Sequence, residues 1–156
     1  MNIVILMRLI IQRVSKANVS INNLVHGSIE RGLMVLVGIE ESDLEEDVAW
    51  LTKKLLGLRI FSDSEGKMNL SVSDISGNIL VVSQFTLFAS TSKGNRPSFI
   101  RSAKPEIAIP LYEKFIEKLK LESQMNIQTG VFGADMQIEL VNDGPVTIFM
   151  DSKNRE

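Results

Sequence analysis

Polar and apolar residues alternate from Arg8 to Val14 and again from Ala17 to Ile21, and the stretch from Leu33 to Ile39 is apolar almost without a break. Alternation of period two sets one face of a strand against a core. Asn22-Asn23 and Gly32 punctuate these runs with residues that suit tight antiparallel turns. The opening therefore predicts strands over 9–14, 17–21 and 33–39. The period then changes. Ser42-Asp43-Leu44-Glu45 has the spacing of a capping box, and Leu44, Val48, Leu51 and Leu55 recur at helical intervals until Gly57 stops them. A short strand over 58–61 and a turn at Ser62-Asp63-Ser64-Glu65-Gly66 follow.

The stretch over 78–88 is nearly continuous in apolar and β-branched residues and reads as a buried strand. A second helix is predicted over 106–121, with Ile107, Leu111, Phe115 and Leu119 on one face and Pro110 within its first turns. Strands over 126–129 and 134–141 lead into Asn142-Asp143-Gly144-Pro145-Val146-Thr147, and a last strand covers 146–150. Strands meeting mostly as hairpins, with two helices inserted, predict an α+β fold. Its sheets are mostly antiparallel, barrel-like or sandwich-like, with two main helices covering one face.

The polar turn is ambiguous on spacing alone. Asn, Asp and Gly are ordinary hairpin residues, but Pro145 removes a backbone donor where a returning strand should begin its ladder. A plain hairpin with an edge proline and a rigid backbone device are both open readings. A Gly-Pro bond can be cis at modest cost.

Length and composition narrow the class. A chain of 156 residues that is 44% hydrophobic supports one domain with a sizeable core. Met7 opens the first alternating run, so the domain is read as 7–156 with an extension over 1–6; that extension lacks a basic leader and a cleavage site. No stretch approaches a membrane span. The net charge of -2 and a pI near 5.5 give no global basic field, so any nucleic-acid surface must be local. The best local candidate is the loop over 91–104, where Lys93, Arg96, Arg101 and Lys104 surround Phe99 without an acid. The absence of Cys excludes thiolate chemistry and suits a reducing cytoplasm. Asp135 and Asp143 lack the partners a metal site needs, so no metal and no cofactor is predicted.

Candidate chemistry centres on Ser83-Gln84-Phe85-Thr86, the most polar interruption of the run over 78–88. Polar groups in a buried strand need partners or a purpose. A Ser or Thr nucleophile needs a base, and the single histidine, His26, is expected at a hairpin tip in Asn22-Asn23-Leu24-Val25-His26-Gly27. A Ser-His-Asp triad is therefore not predicted. Acyl transfer without such a base would rest on positioning and on backbone N–H groups facing a developing oxyanion. The glycines of Thr129-Gly130-Val131-Phe132-Gly133-Ala134-Asp135-Met136 either shape the same pocket or serve as turns.

Taken in order, these motifs resemble one family. Arg8-Leu9-Ile10-Ile11-Gln12-Arg13-Val14, Gly66-Lys67-Met68-Asn69-Leu70-Ser71, Ser83-Gln84-Phe85-Thr86-Leu87, Lys93-Gly94-Asn95-Arg96-Pro97-Ser98-Phe99, Phe132-Gly133-Ala134-Asp135-Met136 and Asn142-Asp143-Gly144-Pro145-Val146-Thr147 together resemble the D-aminoacyl-tRNA deacylases over most of the chain. The resemblance implies hydrolysis of the ester between a D-amino acid and the terminal adenosine of tRNA, and removal of glycine mischarged onto alanine tRNA. It implies a homodimer in the cytoplasm, with each site completed by the partner's Gly144-Pro145 turn in the cis form. The carbonyls of that turn would reject an L side chain whatever its chemistry. It places Ser83, Gln84, Phe85 and Thr86 at the catalytic centre, Phe132 and Met136 in the pocket wall, and Arg13 as a support for the turn. Thr86 is implied either as nucleophile or, with Phe85, as a backbone donor while the ribose 2′-hydroxyl does the chemistry. Competing readings are a non-catalytic module that binds the tRNA acceptor end and a turn that serves only dimerisation.

Overall fold

The computed structural model describes residues 7–156, so the extension expected over 1–6 lies outside the described residues. Strand β1 runs unbroken over Arg8–Ile21, followed by β2 (Leu24–Ile29) and β3 (Gly32–Gly38). Helix α1 spans Glu45–Gly57, after which a small β4 (Phe61–Ser62) pairs with β5 (Met68–Leu70). Strand β6 (Asn78–Ser83) enters a 3-10 turn at Phe85–Phe88, and an irregular arm leads to α2 (Pro105–Ser123), β7 (Ile127–Thr129) and β8 (Gln137–Asp151).

Strand β1 is the seam of the sheet. One of its edges takes β3 along Arg8 to Val14 and β2 along Ala17 to Ile21, while β8 pairs with it from Arg8 to Ser20. These pairings are antiparallel, as the sequence predicts, but β3 with β6 and β6 with β7 are parallel. The sheet is therefore mixed, in the order β2-β1-β3-β6-β7 with β8 on β1. The reason lies in the connections: parallel neighbours need a long crossover, and α1 and α2 supply the two required. Curvature brings the far strands together into a nearly closed barrel, where a Cβ on Gly27 of β2 would lie 3.2 Å from the Thr129 carbonyl of β7.

The strands expected over 9–14 and 17–21 are one strand with an irregular stretch between Gln12 and Lys16. That stretch changes the chain's parity. Leu9 and Ile11 join the core under the helices with Leu33, Val35, Ile79 and Val81, whereas Val14, Ala17 and Val19 join a second core with Met34, Leu80 and Val82. An extra residue in a strand shifts which face later side chains occupy. The hairpin tip is Asn22-Asn23, at φ 51° and 64°, which suits a two-residue turn of this kind. His26 accordingly lies on β2, exposed, rather than at the tip.

Both helices begin differently from the simplest reading. Helix α1 starts at Glu45, and the box closes through Asp47, whose Oδ2 accepts the Leu44 N–H at 2.9 Å; Leu44 itself is exposed. The buried stripe of α2 is Ala108, Tyr112, Phe115, Ile116 and Leu119, which leaves the expected Ile107 and Leu111 half-buried at its margin. The Tyr112 hydroxyl donates to the Val81 carbonyl, and burial pushes its pKa up to about 12.

Asp43, just before α1, accepts the Glu40 N–H at 2.7 Å and is almost fully buried beside Asp47, Glu40 and Lys153. Burial, reinforced by the two neighbouring acids, raises its pKa from 3.8 to about 7 against the opposing pull of the Glu40 hydrogen bond and Lys153. The folded state therefore binds a proton more tightly than the unfolded chain, and stability falls as pH rises from about 4 to about 7. We expect Asp43→Asn to match the parent near pH 4 and to exceed it by on the order of 1 kcal/mol at pH 8. Urea unfolding at both pH values checks this; equal midpoints at pH 8 would refute it.

Candidate active site

The run over 78–88 does not continue as a strand. β6 ends at Ser83, Gln84 turns the backbone with φ −146° and ψ 84°, and Phe85–Phe88 forms the 3-10 turn. A strand interior would pair every backbone group; this departure leaves some unpaired. Among the described residues neither the Phe85 N–H nor the Thr86 N–H meets a protein acceptor. Gln84 anchors the start of the bend by donating its N–H to the Val37 carbonyl at 2.7 Å.

This bend forms one wall of a cavity of about 260 Å³. Ser83, Gln84 and Phe85 line it from one side, and Phe132 and Met136 from the other, so five of the nine residues singled out in the sequence converge. Phe132 is held by Tyr112, with ring centroids 5.8 Å apart. Gly130 leaves room for Met136, since a Cβ there would lie 2.5 Å from the Met136 sulfur. The small side chains of Ala103, just before α2, and Ala108, within it, line the cavity as well. Sequence patterning missed those two alanines, because nothing in a helical or loop pattern marks a small residue as pocket-lining.

Thr86 is half-buried at the edge of the cavity, joined by its N–H to the lining residue Phe85 but not itself among the residues that line it. Its hydroxyl oxygen accepts a hydrogen bond from the Gln84 side-chain amide, which cannot serve as a base. His26 stands exposed on β2 and forms no pair with it. Among the described residues no group of three acidic or histidine side chains is placed to hold a metal ion.

Arg13, Gly144 and Pro145 form a second, separate assembly. The segment around Gly144 is not a hairpin: β8 continues through it, and both flanks pair with β1 in the same antiparallel sense. Gln12 faces Thr147 and Val14 faces Asn142, so residues 143–146 bow out opposite Arg13 alone. Hairpin chemistry in the sequence thus marks an excursion from one strand. The Asn142 side chain bridges its base, accepting the Val146 N–H at 2.9 Å and donating to the Val146 carbonyl at 3.1 Å. Arg13 donates to the Asp143 carbonyl at 2.7 Å and to the Ile60 carbonyl at 2.6 Å. The Gly144-Pro145 bond is cis, and both residues are exposed.

The excursion and the cavity do not meet within one protomer. Ile138, which lines the cavity, pairs with Val19, and the excursion lies opposite Arg13. Neither Arg13 nor any of residues 143–146 lines the cavity. The basic loop lies nearer the cavity: Phe99 packs edge-on against Phe85 at 5.2 Å. Of its four cations, Arg101 is paired with the buried Glu40 at 3.0 Å.

Known proteins resemble the chain in sequence and in fold. The family model described as D-Tyr-tRNA(Tyr) deacylase matches residues 10–151. A D-aminoacyl-tRNA deacylase of Akkermansia muciniphila is 63% identical over 150 residues, covering 96% of this chain and 100% of that protein. One of Flavobacterium psychrophilum is 58% identical with the same coverage. Among solved structures, a c-Myc DNA unwinding element binding protein superposes with a TM-score of 0.87 at 39% identity, over 92% of this chain and 97% of its own. A probable eukaryotic D-amino acid tRNA deacylase superposes with a TM-score of 0.82 at 18% identity, over 94% of this chain and 100% of its own, a likeness of fold.

Proposed function

We propose a division of labour between two copies of this chain, on the premise that it belongs to the D-Tyr-tRNA(Tyr) deacylase family. As a D-aminoacyl-tRNA deacylase it is a hydrolase acting on ester bonds. In the proposal, the cavity bounded by Phe85, Phe132 and Met136 receives the aminoacyl ester of a D-aminoacyl-tRNA in the cytoplasm. The Gly144-Pro145 excursion of the partner subunit closes the same site. The supporting observation is that neither Arg13 nor any residue of the excursion lines the cavity of its own protomer. A turn fixed so firmly by Arg13 and Asn142, yet absent from the lining of its own cavity, suits use by a second copy.

The chemistry follows from what surrounds the ester. The free N–H groups of Phe85 and Thr86 stabilise the developing oxyanion, a contribution on the order of a hundredfold to a thousandfold per donor in other acyl-transfer sites. The attacking oxygen then comes from water, assisted by the neighbouring ribose 2′-hydroxyl, rather than from Thr86, whose hydroxyl has Gln84 as its partner and no base. The backbone of the excursion excludes a side chain on the L face by contact and admits hydrogen there, so glycine carried on alanine tRNA is also a substrate.

Hydrolysis of D-tyrosyl-tRNA alongside L-tyrosyl-tRNA tests this reading. Release of the D ester alone supports it, while a gel shift with both esters intact would establish a binding module instead. We expect Thr86→Ala to retain deacylation within about tenfold, because only its side chain is lost and the backbone donor remains. Removal of a true nucleophile costs on the order of a millionfold, so near-complete loss in a folded Thr86→Ala protein would restore the nucleophile.

A further inference from the structure

The arm between the 3-10 turn and α2 fixes Phe85 through two contacts that the sequence did not signal. The Ser102 hydroxyl donates to the Phe85 carbonyl at 2.7 Å, and the Phe99 ring packs edge-on against the Phe85 ring. The Phe85 carbonyl belongs to the same peptide unit as the Thr86 N–H. A hydrogen bond at the carbonyl end of a peptide orients the unit and polarises its N–H.

Ser102 is itself anchored independently of its side chain. Its N–H donates to the Phe99 carbonyl at 3.0 Å, the Ala103 N–H donates to the Ile39 carbonyl at 2.9 Å, and Ser102 forms a β-bridge with Glu40. Arg101, paired with Glu40, pins the neighbouring residue. With its backbone fixed to the end of β3, the hydroxyl sets the position of the Phe85 carbonyl. Phe85 itself is an exposed residue on a four-residue turn.

We infer that Ser102 is a positioning residue for deacylation, with Phe99 as its packing partner: it holds the Phe85–Thr86 peptide unit in the orientation that presents the Thr86 N–H to the reacting ester. This rests on the backbone-donor reading above. It assigns to Ser102 an effect on the chemical step and none on substrate capture, because the hydroxyl faces a carbonyl of the protein.

The test is steady-state deacylation of D-tyrosyl-tRNA by the intact protein, its Ser102→Ala variant and its Ser102→Thr variant. Ser102→Ala should lower kcat between threefold and tenfold with KM within twofold of the parent, and Ser102→Thr, which keeps the hydroxyl, should restore kcat to within twofold. An unchanged kcat in Ser102→Ala overturns the inference, as does a loss carried by KM or an equal loss in Ser102→Thr. A parent protein that hydrolyses no D-aminoacyl-tRNA overturns the functional reading itself. An active parent with an indifferent Ser102→Ala overturns the positioning role alone.

Discussion

Gly144→Ala should lower hydrolysis of D-tyrosyl-tRNA on the order of a hundredfold while leaving the fold intact. The glycine has φ +156°, and a Cβ there would stand 2.7 Å from the Val146 nitrogen, 2.8 Å from Val146 Cγ2 and 3.2 Å from Arg13 Nη2. The first two are too close for any side chain, and the third presses on the arginine that holds Asp143 and Ile60 together. The excursion must therefore move, and a displacement of about 1 Å in a positioning group is enough for a loss of this size. Stability should change by less than about 1 kcal/mol, since Asp143, Gly144 and Pro145 are exposed and the flanks of the excursion remain paired to β1. Deacylation rates, a thermal melt and a light-scattering mass on the same sample separate the possibilities. Full activity would remove the excursion from the site, and a dimer that falls apart with unchanged D/L preference would make it an assembly element.

The second large effect is on stability. A Cβ on Gly32 would fall far inside contact distance of the Asn78 carbonyl oxygen and 2.8 Å from Asn78 N and C, all of them backbone atoms that cannot rotate away. Gly32 faces Asn78 at the start of the parallel β3–β6 ladder and Val14 on β1. Gly32→Ala should therefore cost about 3 kcal/mol or more, a fall in Tm on the order of 10 °C. Because β6 delivers Ser83 and Gln84 to the cavity, activity should fall at temperatures where the variant is still folded. Differential scanning calorimetry checks the first claim, and a Tm within 2 °C of the parent would refute it.

The elements were legible where one physical rule governed them. Helices α1 and α2 followed from spacing, and β3 from its continuous apolar run. Boundaries failed where a side chain took a backbone role, as when Asp47 rather than Glu45 closed the box at the start of α1. The parallel pairs were hidden because hairpin signals are local while a crossover is not, although the helix between β3 and β6 was the clue. For the site, Ser83, Gln84, Phe85, Phe132 and Met136 do meet in one cavity. Arg13, Gly144 and Pro145 do not join them in the protomer, and only the family resemblance connected the two groups. Ser102 gave no signal, since a serine in a basic loop looks the same whether it faces water or a carbonyl.

The irregular stretch of β1 also says where this chain can change length. Between Val14 and Ala17 the strand carries one residue more than strict alternation needs, and that surplus is what turns Ala17 and Val19 toward the second core. A deletion at Ser15 or Lys16 removes the surplus and leaves both flanks facing as they do now. The same deletion between Leu9 and Gln12 turns one half of the strand inside out. Drift in length along β1 is thus confined to a two-residue window, which lies just past Arg13, where β8 makes its own excursion.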